Sequence, residues 1–277
     1  FLRGWVSDWR DAEMKAAISQ TLFTAMATHH GKKDGLLIAD YDTNAWPQTA
    51  RNAAVAELRK AFVFHITGDQ HLPAVVHYGI DNHRDGVAAF ASPAVNNLYA
   101  RWFRPENTDK TTGDFRDSFG HPMTVLACAN PKLEFRKGVL EAETDESAGY
   151  GAVRFNKRTR KITIECWPLL ADPTKPGSQF PGWPVVVTQF ENYARTAAAH
   201  LPKLRILGMQ RPVLEIVEES SGEIVYAFRM GSTTWRPHVF RPGHYTLRVH
   251  EPESGKKAER KGIEATTDNR ETLEISV

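Results

Sequence analysis

The segment 62–67, FVFHIT, is apolar on both faces apart from His65. A half-exposed strand alternates apolar and polar residues, whereas a strand without alternation must be covered on both sides. This segment therefore excludes a single sheet with one wet face and demands a layer above and a layer below. The flanking sequence supplies both. Upstream, PQTARNAAVAELRKA (47–61) reads as a helix, with Pro47 suited to the first turn and Ala54, Val55 and Leu58 on one apolar face. Downstream, AVVHYGI, GVAAFASPAV, MTVLACA, YGAVRFN and RKITIECWP read as short strands divided by turns, with a hairpin over 156–161. Strand, helix, strand, with polar residues at the ends of the apolar runs, is the pattern of a layered α/β protein.

At the amino end, Leu2, Trp5, Val6 and Trp9 recur at helical spacing. The chain begins with Phe1 and lacks the layout of a signal peptide, so it reads as the interior of a longer protein entered partway along a helix. MKAAISQTLF is expected to be a strand leading into a loop, ATHHGKKDG a polar loop, and WPLLADPTKPGSQFPGWPVVV an irregular path over the surface. From about residue 204 the character changes. RPVLEIVEESSGEIVYAFRM alternates on either side of Ser220, Ser221 and Gly222, and PGHYTLRVHE and ETLEISV continue the alternation. The expected organisation is a main domain over 1–200 and a small all-β sandwich over 201–277. With 35 basic and 33 acidic residues, a net of +2, nothing electrostatic recommends nucleic acid as the partner. No apolar run approaches the ~20 residues of a membrane span. Cys128 and Cys166 sit in apolar, strand-like runs and read as small buried side chains.

The buried strand ends in Gly68-Asp69-Gln70-His71. In an extended segment Asp69 and His71 would project to the same side and reach one centre. A carboxylate with an imidazole suits iron, zinc or manganese, and calcium as carboxylates accumulate. Ligand groups in α/β folds gather beyond the carboxyl ends of strands, which is where this pair stands. His29, His30, Asp40, Asp42 and Asn44 are near in sequence. His65 and His77 read instead as hydrogen-bonded core histidines, and His29-His30 as a solvated loop.

The ordered set ISQTLF, ATHHG, DYDTNAWPQTAR, ELRKAFVFHITGDQHLPAVVHYGID and ASPAVNN resembles the C-terminal half of alkaline phosphatase D-like (PhoD-like) metallophosphoesterases. The matching pieces are Ser19-Gln20, Asp42-Thr43 with Trp46 and Pro47, Arg51, and the Thr-Gly-Asp-x-His motif at 67–71; the resemblance covers roughly residues 1–195. It implies a metallophosphatase-like α/β (α+β) sheet sandwich, present as its C-terminal half, with a dinuclear centre of divalent or trivalent ions. Asp69 and His71 would be metal ligands, Asp42 would shape the pocket, and Arg51 or His30 would orient the phosphate or the leaving group. The substrate would be a phosphate ester, and the location periplasmic or extracellular. The family's earlier ligands have no counterpart before Gly68. DNHRDG (81–86) superficially resembles an Asn-His-Asp ligand motif but reads as a polar turn, and TGDFRD (112–117) comes too late. An N-terminal portion is thus the expected partner, without which the chain should bind metal weakly and catalyse poorly. The other readings are a degenerate phosphatase-like protein or a binding module whose C-terminal sandwich contacts a partner or a glycan. Tyr226, Trp235 and Tyr245 could serve there, although core packing explains those aromatics equally well.

Overall fold

The double-sided burial expected of 62–67 is met inside a six-stranded mixed sheet in the computed structural model, which describes residues 1–31, 35–97, 99–190, 192 and 194–277. Its strand order is Ala16–Ile18, Phe64–Thr67, Ala88–Ala91, Ala74–Tyr78, Pro122–Cys128 and Gly113–Arg116. The first three run parallel and the rest pair antiparallel. The chain is thus a sheet-rich mixed α/β protein with few helices.

Alternation along the central strands sorts their side chains into two cores. Phe64, Val75, Ala88 and Phe90 face a three-stranded antiparallel sheet of Gly149–Phe155, Lys161–Pro168 and Val185–Thr188, against Ile162, Ile164, Cys166 and Val187. Gly151 lets this layer close in, because a Cβ there would overlap the Phe90 ring. The opposite face, with Ala74, Val76, Tyr78, Ala89 and Ala91, packs under Val55 and Leu58 of the helix Gln48–Arg59. A bulge between Val75 and Val76 shifts the pairing with the neighbouring strand, so that Val125 lies on the helix side and Ala127 on the other. The two cysteines therefore belong to different cores and are both free; burial pushes each thiol well above its usual range.

Two expectations along the chain change. MKAAISQTLF contributes only Ala16–Ile18 to the sheet, and 19–23 turns away. His29–His30 is not loop but a two-residue strand, paired with Gly35–Leu36 and with Arg101–Trp102. That second pairing spans some seventy residues of sequence and leaves no local signal. The part of the loop reading that falls on 32–34 lies outside the described residues.

The last segment forms a four-stranded antiparallel sheet, Ile224–Arg229, Val213–Glu218, Gly243–Glu251 and Lys256–Ala265, beside a three-stranded one, Thr234–Trp235, Lys203–Leu207 and Thr272–Ser276. Leu204, Ile206, Leu214, Ile216, Phe228, Leu247 and Ile275 fill the space between, and this core is continuous with the helix-side core. Tyr226 and Tyr245 are buried, and Trp235 packs on Phe190 and Phe228. Among the described residues no helix is long and apolar enough to cross a membrane.

Arg229 ties the two ends of the chain together. Fully buried, it uses all five N–H groups: Nε to Ala12 O at 2.6 Å, Nη1 to Arg211 O at 2.6 Å, Nη2 to Trp9 O at 2.5 Å, and one from each terminal nitrogen to the Glu253 carboxylate. Removing one partner of such a cluster strands buried acceptors and a carboxylate. Arg229→Ala is expected to cost about 3–5 kcal/mol in urea unfolding, and Arg229→Lys to recover only part of it, since an ammonium cannot reproduce the planar fork. A loss below about 1 kcal/mol for the alanine variant would show that the clamp is not stabilising.

Candidate functional site

Because Ala16–Ile18, Phe64–Thr67 and Ala88–Ala91 are parallel, their carboxyl ends open on one edge of the sheet, the position where side chains from successive loops converge. The residues that follow these ends are Gln20, then Asp69 and His71, then Asn97 and Tyr99.

Asp69 and His71 do not sit in extended backbone. Both are left-handed, with φ of +57° and +52°, so the same-side argument from strand geometry does not apply. Asp and His tolerate this region better than most residues, at a cost of about 1 kcal/mol or more each. The turn is held in several places. Gly68 N donates to Gln20 O at 3.0 Å, Gln70 is buried with its amide on the Thr21 hydroxyl, and Leu72 is buried in the helix-side core. Gln20 Nε2 donates to Asp69 Oδ2 at 2.8 Å, leaving the carboxylate exposed and oriented.

His71 is oriented through Asn97. The Asn97 amide nitrogen donates to His71 O at 3.2 Å and to Glu146 O, which turns Oδ1 toward the imidazole, 2.7 Å from His71 Nδ1. An amide oxygen only accepts, so Nδ1 carries a proton, and in the neutral imidazole the lone pair is then on Nε2. Asn97 is itself fixed by its backbone N–H on Glu143 Oε2 at 2.6 Å.

His30 reaches the same neighbourhood through the Arg101–Trp102 pairing. Its Nδ1 is hydrogen-bonded to the Tyr99 hydroxyl. The Tyr99 ring lies 5.5 Å from His30 and 6.3 Å, edge-on, from His71. Arg101 lies 5.9 Å from the centroid of the same ring and pairs with Asp40 and Asp42, each at 2.9 Å. Burial raises the Asp40 carboxyl despite the guanidinium, whereas the Asp42 side chain stays 70% exposed. Of the five residues singled out in the sequence, His30, Asp42 and His71 are thus linked around Tyr99 and Arg101, while Asp69, two residues before His71, is held by Gln20.

Arg51 is elsewhere. It is 2% exposed under the helix, donating to Phe23 O at 2.7 Å and to Gly79 O at 2.5 Å beyond the far end of Ala74–Tyr78. Its charge braces loops inside the core and does not face the edge where Asp69 stands. His77 is a core histidine, bonded to Asn192 O and Tyr78 O. DNHRDG is a turn folded around Asp85, whose carboxylate accepts from the backbone of Ile80, Asp81 and Asn82.

His65 is a core histidine with a definite polarity. Ser19 Oγ is 3.0 Å from Thr21 O, to which it gives its only proton, so at 2.8 Å it accepts from His65 Nε2. His65 Nδ1 then accepts from the Tyr78 hydroxyl at 2.9 Å, whose oxygen accepts from Phe23 N. The Ser19–His65 pair therefore has the wrong direction for an activated serine.

Asn97, Tyr99 and Arg101 were not singled out as working parts, and Asp40 was noted only as near in sequence. ASPAVNN and the acidic turn were visible, but only tertiary contact assigns them roles. Among the described residues no three His, Cys, Asp or Glu side chains converge as a metal-ligand set. Comparison with family models, curated proteins and solved structures returns no match.

The His65 environment predicts an acid limb in stability. Burial lowers its pKa from 6.5 to about 3, so between those values the unfolded chain binds the proton and the folded one does not. Stability from this group is complete above pH 6.5 and falls by up to about 1.4 kcal/mol per pH unit as pH drops toward 3. Unfolding measured across that window should show this slope, and His65→Gln should flatten it. An unchanged slope in the variant would refute the assignment.

Proposed function

We propose that the chain contributes the last metal ligands of a phosphoester hydrolase, of alkaline phosphatase or phosphodiesterase type, through Asp69 and His71. The observation that carries this reading is the His71–Asn97 bond. An imidazole whose Nδ1–H is committed to a fixed oxygen presents Nε2 as a ligand, the outer-shell arrangement that orients metal-binding histidines. Asp69, steadied by Gln20, is the accompanying hard ligand. Two ligands fit part of such a site and not the whole, so the rest of the set belongs to an N-terminal portion, and the centre is weak without it. When bound, two ions would supply a hydroxide nucleophile and offset charge on the phosphoryl oxygens.

The chain's own residues do the remaining work. Asn97 holds the His71 ring and its tautomer. The hydrogen-bonded pair of His30 and Tyr99 stands beside His71, and in this reading it would pass a proton to the departing oxygen. Arg101 fixes Asp42 as a wall of the pocket. Arg51 touches neither phosphate nor leaving group in this reading. The periplasmic or extracellular location implied by the resemblance belongs to the same proposal.

In the protein carrying its N-terminal portion, Asp69→Ala and His71→Ala are each expected to remove bound metal and to lower hydrolysis of bis(p-nitrophenyl) phosphate by at least about a hundredfold. Metal content and rate unchanged in both variants would sink the reading. Asn97→Ala should weaken metal affinity by about 10–100-fold and abolish the Nδ1–H resonance of His71 in nitrogen NMR. Persistence of that resonance would mean another group sets the tautomer.

A further inference from the structure

Three aromatic side chains meet at the surface one contact away from Arg101. Tyr41 is 67% exposed and Trp46 51% exposed, with Phe119 half-buried beside them. Trp46 and Phe119 are tilted by 31° with centroids 5.6 Å apart, and Tyr41 stands edge-on to both at 6.0 and 5.3 Å. The rings form a corner with one broad open face. Most exposed apolar residues stand singly and need no explanation, but a contiguous cluster of large exposed rings marks a binding surface.

The backbone under the corner is pinned. Asn44 N donates to Leu22 O at 2.9 Å, His121 Nε2 to Ala45 O at 3.1 Å, and Gln48 Nε2 to Phe119 O at 2.5 Å. The rings are thus presented ready-made, which lowers the ordering cost of binding. Next to Tyr41 stands the exposed Asp42 carboxylate. Its Oδ2 is held by Arg101 Nη2, and its Oδ1 has no hydrogen bond among the described residues. A carboxylate is an acceptor only.

These two features restrict the occupant. A phosphate or other anion would meet a like charge at Asp42. A purely apolar group would cover the rings but leave the carboxylate stripped of water without a donor. A cation would suit the rings, but at that carboxylate it would meet the Arg101 guanidinium already paired there at 2.9 Å. A neutral ring with C–H groups on its face and O–H donors on its rim avoids each of these conflicts. We infer that Tyr41, Trp46 and Phe119, with Asp42, form a subsite for a pyranose sugar. Its use as the pocket for the sugar of a glycosyl phosphate rests on the hydrolase reading above; the binding itself does not.

The test follows the Trp46 indole N–H by nitrogen–proton NMR in the full chain during titration with methyl β-D-glucopyranoside, with adenosine, methyl phosphate and tetramethylammonium in parallel. The glycoside is expected to give a saturable shift with an affinity near ~1 mM, the weak end of specific binding. Tyr41→Ala and Asp42→Asn should each weaken it at least about tenfold, and the Trp167 indole serves as an internal control. No saturation up to ~100 mM, two decades above that affinity, or tighter binding of adenosine, methyl phosphate or tetramethylammonium, would overturn the assignment. So would an unchanged affinity in both variants. Because the readout is binding and not turnover, its failure leaves the hydrolase reading intact, and loss of hydrolysis on changing Asp69 leaves this one intact.

Discussion

A buried imidazole must have both nitrogens bonded, or lose about 1–3 kcal/mol for each that is not. His65 sits in the middle of a strand covered on both faces, and the way its bonds are satisfied sets the neighbourhood of the candidate site. Tyr78 gives a proton to Nδ1, and Nε2 gives one to Ser19, the residue immediately after the edge strand Ala16–Ile18. That second bond fastens the start of the 19–23 turn. The same turn then supplies Gln20 to Asp69, Thr21 to Gln70 and to Asn44, and Phe23 to Arg51. A polar residue in the core thus positions a surface turn, and the turn positions a carboxylate. Arg51 is part of this frame: desolvation lowers its pKa, and it survives there because carbonyls of both loops turn toward it.

The left-handed backbone at Asp69 and His71 has its own logic. Two such residues flanking Gln70 bring the chain from Phe64–Thr67 into the antiparallel strand Ala74–Tyr78 with only six residues between. A regular turn would use glycine there. Asp69 and His71 stand instead in strained positions whose cost is met by the surrounding bonds and by the burial of Gln70 and Leu72. Strain of this kind collects at sites where a side chain must point one way, and the inference runs from the observed angles to the site. Asn97 completes it. With both its amide hydrogens and its oxygen committed, it can accept from His71 in only one orientation.

Much of the architecture could be read from periodicity. FVFHIT announced its own two-sided burial, 47–61 its helix, and 149–168 and 213–229 their hairpins, because in each the cause is local. Asp69 and His71 stand out in the sequence because they follow the end of a buried strand. What surrounds them was not legible. Asn97 meets His71 across 26 residues, and Tyr99 meets His30 across 69, distances over which no pattern in one sequence speaks. Arg51 was misplaced for the opposite reason. Its helix and its apolar neighbours were read correctly, but a long side chain on a buried face can be turned inward to carbonyls as readily as outward to a ligand. The aromatic residues of 201–277 were ambiguous by the same standard, and Tyr226 and Tyr245 turn out to fill the core.

Arg101 joins the candidate centre to the aromatic corner, and its pairing explains how the two can coexist. The buried Asp40 already draws on one end of the guanidinium, and its carboxyl is still raised. Among the described residues one guanidinium is shared by these two carboxylates, and Asp42 is the partner that faces solvent. An anion beside Tyr41 would meet the Asp42 carboxylate first, whereas on the proposed reading the Asp69–His71 side would take its positive charge from bound metal ions. An elongated ligand with a neutral, hydroxyl-bearing end and an anionic end would be oriented by that contrast before any chemistry begins, with Tyr99 as the point about which the two ends divide.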